Sequence, residues 1–233
     1  MNLTKIGEGK SKTLYSDGDK LYLEFKGDVM CSKHGVKYDE RIAVLRAKTT
    51  TKLYEYLSTK SDRISVPKMI NDKMICMDKM TPIPLEWIPR YVAAGSVVKR
   101  FGFKEGFEFS KVILKIDYKT DVDDYLITDD LIVERGILNE SELSEAKKLC
   151  FLVAGSLNEL FASKGLKLWD FKMELGLDSN RRIYLIDEIS FDGMRLKDAL
   201  TGVSLDKDVY RNTADVEEVV KAYEEGYRRV FEK

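Results

Sequence analysis

The stretch LWDFKMELG, residues 168–176, alternates between charged and apolar side chains, and the prediction of the fold starts from it. Asp170, Lys172 and Glu174 occupy every second position. Side chains on a strand point alternately to opposite faces of the sheet. We therefore predict a strand with one charged face. Its other face is predicted to pack against the core under the preceding helix and consists of Trp169, Phe171, Met173 and Leu175.

A second strand, RIYLIDEI (residues 182–189), is predicted to form a hairpin with this one. A four-residue loop places Glu174 directly opposite Asp187, on the same face. Facing carboxylates repel each other unless a cation neutralises them. Mg²⁺ takes hard oxygen ligands from one or two carboxylates and fills its shell with water and phosphates. Glu174 and Asp187 are therefore candidate metal ligands, with Lys172 one step along. A solvated charged face balanced by lysine is the alternative.

The composition is that of a globular protein, and it excludes several classes of function. The 233 residues are 44% apolar and 34% charged, enough for one large domain or two lobes. The net charge of −1 leaves no overall electrostatic footprint for nucleic acid or an anionic membrane, and we expect neither as a partner. No apolar run approaches the roughly 20 residues that span a bilayer. The first residues, MNLTKIGEGK, lack a signal-peptide core, so we expect a cytoplasmic protein.

The cysteines and the single histidine also restrict the chemistry. Cys31, Cys76 and Cys150 are widely spaced and odd in number, which argues against a disulfide framework or a zinc motif and predicts reduced thiols. His34 is the only histidine, so mechanisms that need two are excluded. A lone histidine in a loop is most often solvated, although its near-neutral pKa keeps it eligible for acid–base work.

Turn residues and periodicity outline the elements. Residues 3–25 have apolar runs separated by glycines and the turn Ser16–Asp19, which predicts β-hairpins. VPKMINDKMICM predicts another hairpin, turning at Asn71–Asp72. Helical spacing predicts helices over 39–57 and 215–231. A further helix is predicted from Ser141, as N-cap, to Lys164.

The order of these elements predicts an α+β fold with two lobes. Three prolines in TPIPLEWIPR, residues 81–90, argue against a central strand and predict a rigid connector, a candidate hinge. The lobes are therefore predicted at 1–80 and 81–233. The absence of a strand–GxGxxG–helix unit and of a Walker motif argues against Rossmann and P-loop folds.

The turn in IGEGKSKTLY, residues 6–15, is a candidate phosphate-binding loop. Two glycines expose backbone N–H groups, and two lysines add positive charge, as in glycine-rich loops that cover nucleotide phosphates. The candidate ATP-binding residues are Gly9, Lys10, Ser11 and Lys12. An ordinary exposed turn with solvated lysines is the alternative.

Two later segments are candidate anion sites. In RYVAAGSVVKR, residues 90–100, Arg90 precedes small residues that let a ligand approach the backbone, and Ser96 is a candidate cap of a short helix. In DEISFDGMRLKD, residues 187–198, Arg195 offers a bidentate fork, and Arg211 follows later. A helix start with surface charges and a solvated turn are the respective alternatives.

Taken in order, these segments resemble a known family. GEGKSKTLY, IPLEWIPRYVAAGS, DFKMELG, IDEISFDGMRLKD and DKDVYR are similar to the SAICAR synthetases, ligases of purine biosynthesis, over nearly the whole chain. The resemblance implies an α+β fold with an ATP cleft between two lobes, distantly kinase-like, and ATP and Mg²⁺ as cofactors. It also implies that L-aspartate is joined to carboxyaminoimidazole ribonucleotide (CAIR), with ADP and phosphate released, and that the chain forms a homo-oligomer, most simply a dimer.

Roles follow by position in this sequence. The resemblance implies ATP-phosphate contacts from Lys10 and Lys12, and a metal site at Glu174 and Asp187. It implies ribonucleotide binding by Arg90, Ser96 and Arg195, and a further anion contact from Arg211. Asp170 and Lys172 are implied to be catalytic, on the floor beneath the substrates.

The sequence also departs from the family pattern. After FKGD the family continues with small residues and Asn-Gly, whereas this chain reads VMCSKHG, and VLRAKTT replaces KGxLNN. Tyr91 and Phe191 stand where Asn and Pro are usual. Two alternatives therefore stay open: a related ATP-dependent ligase or kinase with another acceptor, and a nucleotide-binding module without catalysis.

Overall fold

The structure is a computed structural model that describes residues 3–120 and 122–232. Helices and antiparallel sheets are mixed along the chain, which confirms the α+β class. The helices are α1 (Glu40–Ser58), α2 (Ser96–Phe101), α3 (Asp129–Glu134), α4 (Glu140–Ser163), α5 (Asp208–Thr213) and α6 (Val216–Phe231). The strands are β1 (Thr4–Glu8), β2 (Lys12–Asp17), β3 (Lys20–Phe25), β4 (Asp28–Cys31), β5 (Gly35–Tyr38), β6 (Lys68–Asn71), β7 (Met74–Asp78), β8 (Thr81–Pro82), β9 (Leu85–Val92), β10 (Glu108–Lys119), β11 (Asp124–Leu126), β12 (Leu166–Phe171), β13 (Glu174–Leu177), β14 (Ile183–Ile186) and β15 (Met194–Asp198).

Residues 4–78 supply a five-stranded antiparallel sheet in the order β1-β2-β3-β7-β6. The predicted hairpins are confirmed, and Gly18 has the positive φ that the turn between β2 and β3 requires. Helix α1 packs on this sheet and begins, as predicted, at the N-cap Asp39, whose side chain accepts a hydrogen bond from the Arg41 backbone. The lobe boundary at residue 80 stays a prediction.

The proline-rich segment is not a connector, and this prediction was wrong. Its second half is β9, which lies inside the sheet β11-β10-β9-β12-β15. Pro89 lies two residues after Trp87 on β9, so the backbone N of both residues points to the same side of the strand. The Trp87 N–H points away from β10 and donates to the Met173 carbonyl at 3.1 Å. The N–H that proline lacks therefore falls on the β12 side, where the ladder pairs β9 only at Arg90.

The stretch 168–176 is interrupted, so the prediction that it forms a single strand was wrong. It breaks after Phe171 into β12 and β13, and these belong to different sheets. Phe171, Met173 and Leu175 are buried as predicted. Trp169 is only half-buried, and the Lys197 ammonium lies 3.7 Å from its ring centroid. A register shift between Leu168 and Asp170 accounts for the change of face.

Helix α4 covers β12 and begins at Glu140, one residue before the predicted cap. Its N-cap is Asn139, not Ser141, because Asn139 and Glu142 form a reciprocal capping box. Helix α6 begins after the N-cap Asp215, as predicted, and packs on α1. One continuous apolar core joins these elements, from Leu23 to Val230. Among the residues described, no helix is long and apolar enough to cross a membrane.

Candidate active site

The glycine-lysine turn between β1 and β2 lies against the loop that follows β14. Gly9 N–H donates to the Lys12 carbonyl at 2.9 Å and closes the turn, with Lys10 exposed at its tip. The Lys12 ammonium is 2.7 Å from Asp187 and 3.0 Å from Glu188. The Ser11 hydroxyl donates to Glu188 at 2.9 Å. The fold thus brings the candidate phosphate loop to a candidate metal carboxylate about 175 positions later in the chain.

Burial and the neighbouring charges shift the pKa values of Asp187 and Glu188 in opposite directions. Burial raises the pKa of Asp187 to about 6, and the charges of Glu174 and Glu188 act in the same direction while Lys12 opposes them. The pKa of Glu188 is lowered, because Lys12 and Arg46 outweigh the opposing effect of burial. A second cation near Asp187, in addition to Lys12, would therefore stabilise its ionised form.

The predicted register of the metal pair is wrong by one residue. Glu174 lies opposite Ile186, and Asp187 follows β14 with a φ of +66°. The loop has five residues instead of four, because Asp178 accepts hydrogen bonds from the backbones of Asn180 and Arg182 at 2.8 Å. Glu174 is nevertheless close enough to raise the pKa of Asp187, and its side chain pairs with Lys119 at 2.6 Å.

These residues fit Mg²⁺ as part of its coordination shell. Two carboxylates from neighbouring positions supply the hard oxygen ligands that Mg²⁺ prefers, and the repulsion between them is what a divalent cation relieves. Within residues 3–120 and 122–232, no group of three or more His, Cys, Asp or Glu side chains is placed to hold a metal. Nucleotide phosphates and water would therefore complete the shell.

A cavity of about 230 Å³ contains all the other candidate residues. It lies on one face of the sheet formed by β9, β10, β12 and β15. It is lined by all four predicted substrate-binding residues and both predicted catalytic residues: Arg90, Ser96, Asp170, Lys172, Arg195 and Arg211. Positions spread over more than 120 residues of sequence are thus assembled into one pocket.

A buried carboxylate between two arginines forms the centre of this pocket. Asp170 lies 2.7 Å from Arg90 and 3.0 Å from Arg195 in the ladder that joins β9, β12 and β15. Arg90 also donates to the Ala94 carbonyl at 2.6 Å, and Arg195 lies 3.2 Å from Asp208. These contacts fix both guanidinium planes before any ligand binds, which favours an anion in a defined orientation.

Gly95 allows this arrangement. Its φ is +59°, and a Cβ there would lie 2.9 Å from Nη2 of Arg195. Only glycine combines that backbone conformation with such a close approach. Gly95 is also the N-cap of α2, so Ser96 is the first helical residue and not the cap that was predicted. The Ser96 side chain lines the pocket instead.

The other two basic residues lie at the edges of the pocket. The Lys172 ammonium contacts both carboxylate oxygens of Glu86, at 2.8 and 2.9 Å. Arg211 is ion-paired with Asp208 at the end of α5. His34 is half-buried in the turn between β4 and β5, and its Nε2 lies 3.2 Å from the Arg211 carbonyl. The atypical segment after residue 28 therefore packs beside the candidate site.

Sequence reasoning missed a buried ionic cluster behind the 187–193 loop. Arg46 donates to the Lys26 and Asp28 carbonyls and to the Asp192 carboxylate, at 2.6, 2.8 and 2.6 Å. Asp192 also accepts from Lys207 and Tyr223. An arginine inside the helical pattern of α1 resembles an ordinary surface residue, so only burial distinguishes it. Lys115 and Asp117 were missed too, although their alternation with Leu114, Ile116 and Tyr118 was a usable signal.

Comparison with known proteins decides the family. The SAICAR synthetase family model matches residues 5–230. The chain belongs to the SAICAR synthetase family. It is an enzyme, an ATP-dependent ligase of purine biosynthesis. The phosphoribosylaminoimidazole-succinocarboxamide synthase of Methanocaldococcus jannaschii is 37% identical over 220 residues, which cover 92% of this chain and 89% of that protein.

Two solved structures support the same assignment. The synthase from Ehrlichia chaffeensis is 30% identical, with a TM-score of 0.89 over 97% of this chain and 98% of that one. A SAICAR synthetase in complex with ADP is 32% identical, with a TM-score of 0.89 over 97% of both chains. The sequence resemblance and the predicted fold are confirmed.

Proposed function

We propose that this SAICAR synthetase joins L-aspartate to CAIR and releases ADP and phosphate through an acyl phosphate. The observation that supports this most directly is the Arg90–Asp170–Arg195 triad in one pocket with Ser96 and Arg211. CAIR carries a phosphate and a carboxylate, so a site that recognises it needs several fixed cationic donors. The ADP complex of a relative supports a nucleotide beside it.

The chemistry explains why no classical nucleophile is needed. A carboxylate is a poor electrophile, and phosphorylation by the γ-phosphate of ATP turns its oxygen into part of a good leaving group. The amine of aspartate then attacks the acyl carbon and displaces phosphate. Phosphoryl transfer depends mainly on positioning and on neutralising charge, which cations on the protein supply.

We assign the roles as follows. The backbone of Gly9–Lys12 and the Lys12 ammonium hold the ATP phosphates, with Ser11 and Lys10 at the same turn. Arg90, Ser96, Arg195 and Arg211 bind CAIR, and Asp170 orients the two arginines at its sides. Lys172 stabilises negative charge near the acyl carbon. Glu174 and Asp187 hold Mg²⁺, which when bound neutralises charge on the transferring phosphoryl group.

Three coarser features complete the proposal. The enzyme acts in the cytoplasm, where its purine precursors are made, and works as a homodimer. The nucleotide lies between a lobe of residues 1–80 and a lobe of residues 81–233, because the glycine-lysine turn belongs to the first sheet and Asp187 to the second lobe.

The test is ADP release from ATP and Mg²⁺ with CAIR, measured with and without aspartate. The proposal expects turnover that requires CAIR and that forms SAICAR only with aspartate. Equal ADP release without aspartate and no SAICAR would favour another acceptor, and no turnover with any amine would favour a nucleotide-binding module. Asp62→Asn, a change at a 94% exposed side chain, serves as the neutral control.

A further inference from the structure

Along β9 the residues that line the substrate pocket run from Glu86 at one end to Arg90 at the other. Arginines and Ser96 surround one end, where the proposed CAIR contacts lie. The other end has a surplus of carboxylates: Glu86, Asp117, Asp123 and Asp124, against Lys115 and Lys172. We call this second group the acidic end. Its surplus of two negative charges is unexpected beside a site for an anionic ribonucleotide.

Two of these carboxylates face each other across neighbouring strands. Asp117 on β10 lies directly opposite Glu86 on β9, a placement that destabilises a sheet unless cations compensate. Each acid already has one lysine: Lys115 pairs with Asp117, and Lys172 pairs with Glu86. The charges of this strand pair are thus balanced, and the surplus of the acidic end comes from Asp123 and Asp124.

Asp117 also retains an unused acceptor. The residue is 5% exposed, and its Oδ1 has no hydrogen-bond partner within the part of the chain that the structure describes. Buried carboxylate oxygens are nearly always hydrogen-bonded in native proteins. Because Asp117 lines the pocket, a donor from a ligand is a natural partner for this oxygen.

We infer that the acidic end binds the amine of the second substrate as an ammonium group, with Asp117 and Glu86 as acceptors. An ammonium group offers three N–H donors and one positive charge, which match two carboxylates with one unused acceptor. The inference rests on the proposed function, in which that substrate is aspartate. It also explains the polarity of the pocket, because the anionic acceptor and the cationic amine then occupy opposite ends. The ammonium group passes one proton to a carboxylate of the acidic end, and the neutral nitrogen then attacks the acyl carbon as phosphate leaves.

The experiment compares a charged amine with an uncharged one. Asp117→Asn and Glu86→Gln keep the size of each side chain and remove its charge. Loss of a charge-assisted hydrogen bond is expected to raise the KM for aspartate about tenfold or more. Hydroxylamine is largely uncharged at neutral pH and captures an acyl phosphate as a hydroxamate. In Asp117→Asn, the variant that leaves the Glu86–Lys172 pair in place, its rate of hydroxamate formation with CAIR and ATP should stay within about twofold of the wild type.

Several outcomes would overturn the inference. An unchanged KM for aspartate in both variants would do so, and so would an equal loss of the hydroxylamine reaction, since the residues would then serve CAIR or the fold. A shift in the Mg²⁺ concentration needed for hydroxamate formation would mean that the acidic end holds metal instead. Failure of the proposed function looks different, because the wild type would then form no SAICAR. Asp62→Asn remains the control.

Discussion

Replacing Arg46 by methionine tests whether the buried ionic cluster holds the 187–193 loop in place. Arg46 is 1% exposed, and its guanidinium joins α1 to the chain around β4 and to Asp192. Methionine fits a similar volume but removes the charge and all three hydrogen bonds. The variant removes one donor each from the Lys26 carbonyl, the Asp28 carbonyl and the Asp192 carboxylate.

The expected cost is large because the partners stay behind. Removing one member of a buried ion pair typically costs about 3–5 kcal/mol. Asp192 keeps Lys207 and Tyr223, so we expect the lower half of that range, about 3 kcal/mol. For a chain of this length that lowers the melting temperature by roughly 6–12 °C. The double variant with Asp192→Asn should lose less than the sum of the single variants, because the two groups interact directly.

Urea and thermal unfolding of the single and double variants measure these quantities. Arg41→Met is the matched control on the same helix, since Arg41 pairs with Asp39 and Glu217 at the surface. Its midpoint should stay close to that of the wild type, because exposed ion pairs contribute little. A loss below about 1 kcal/mol for Arg46→Met, or simple additivity in the double variant, would refute the reasoning.

Three further outcomes are expected. Gly95→Ala should raise the KM for CAIR about tenfold with the KM for ATP unchanged, since its Cβ would meet Arg195 at 2.9 Å; an unchanged KM for CAIR would contradict this. Glu174→Ala and Asp187→Ala should each lower kcat by about a hundredfold or more and weaken Mg²⁺ dependence, whereas normal turnover would end the metal assignment. Burial opposes ionisation of Asp192, but Arg46 and Lys207 outweigh it and lower its pKa. The ionised Asp192 therefore stabilises the fold fully above the unfolded pKa of about 4, and this contribution is lost as the pH falls through the lower folded pKa. The difference in urea midpoint between the wild type and Asp192→Asn should therefore narrow below about pH 4.

Local patterns predicted most of the elements and the family. The hairpin turns, the helices α1, α4 and α6, and the identity of every residue in the substrate pocket proposed for CAIR were accessible, because turn chemistry and periodicity act over short distances and the motifs are themselves local. The same reasoning failed at Pro89, where the position of a missing N–H relative to the neighbouring strands decides whether a strand tolerates proline.

The sequence by itself determined that carboxylates, lysines and arginines of an ATP-dependent ligase recur in a fixed order along an α+β chain. Only the tertiary structure decided how they face one another. The five-residue loop before β14 moved Asp187 past the end of its strand, and the break after Phe171 sent the two halves of LWDFKMELG to different sheets. Side-chain direction on a strand reverses with a shift of one residue, and such shifts depend on contacts between distant segments. For the same reason the burial of Arg46 and the pairing of Asp117 with Glu86 exist only in the folded chain.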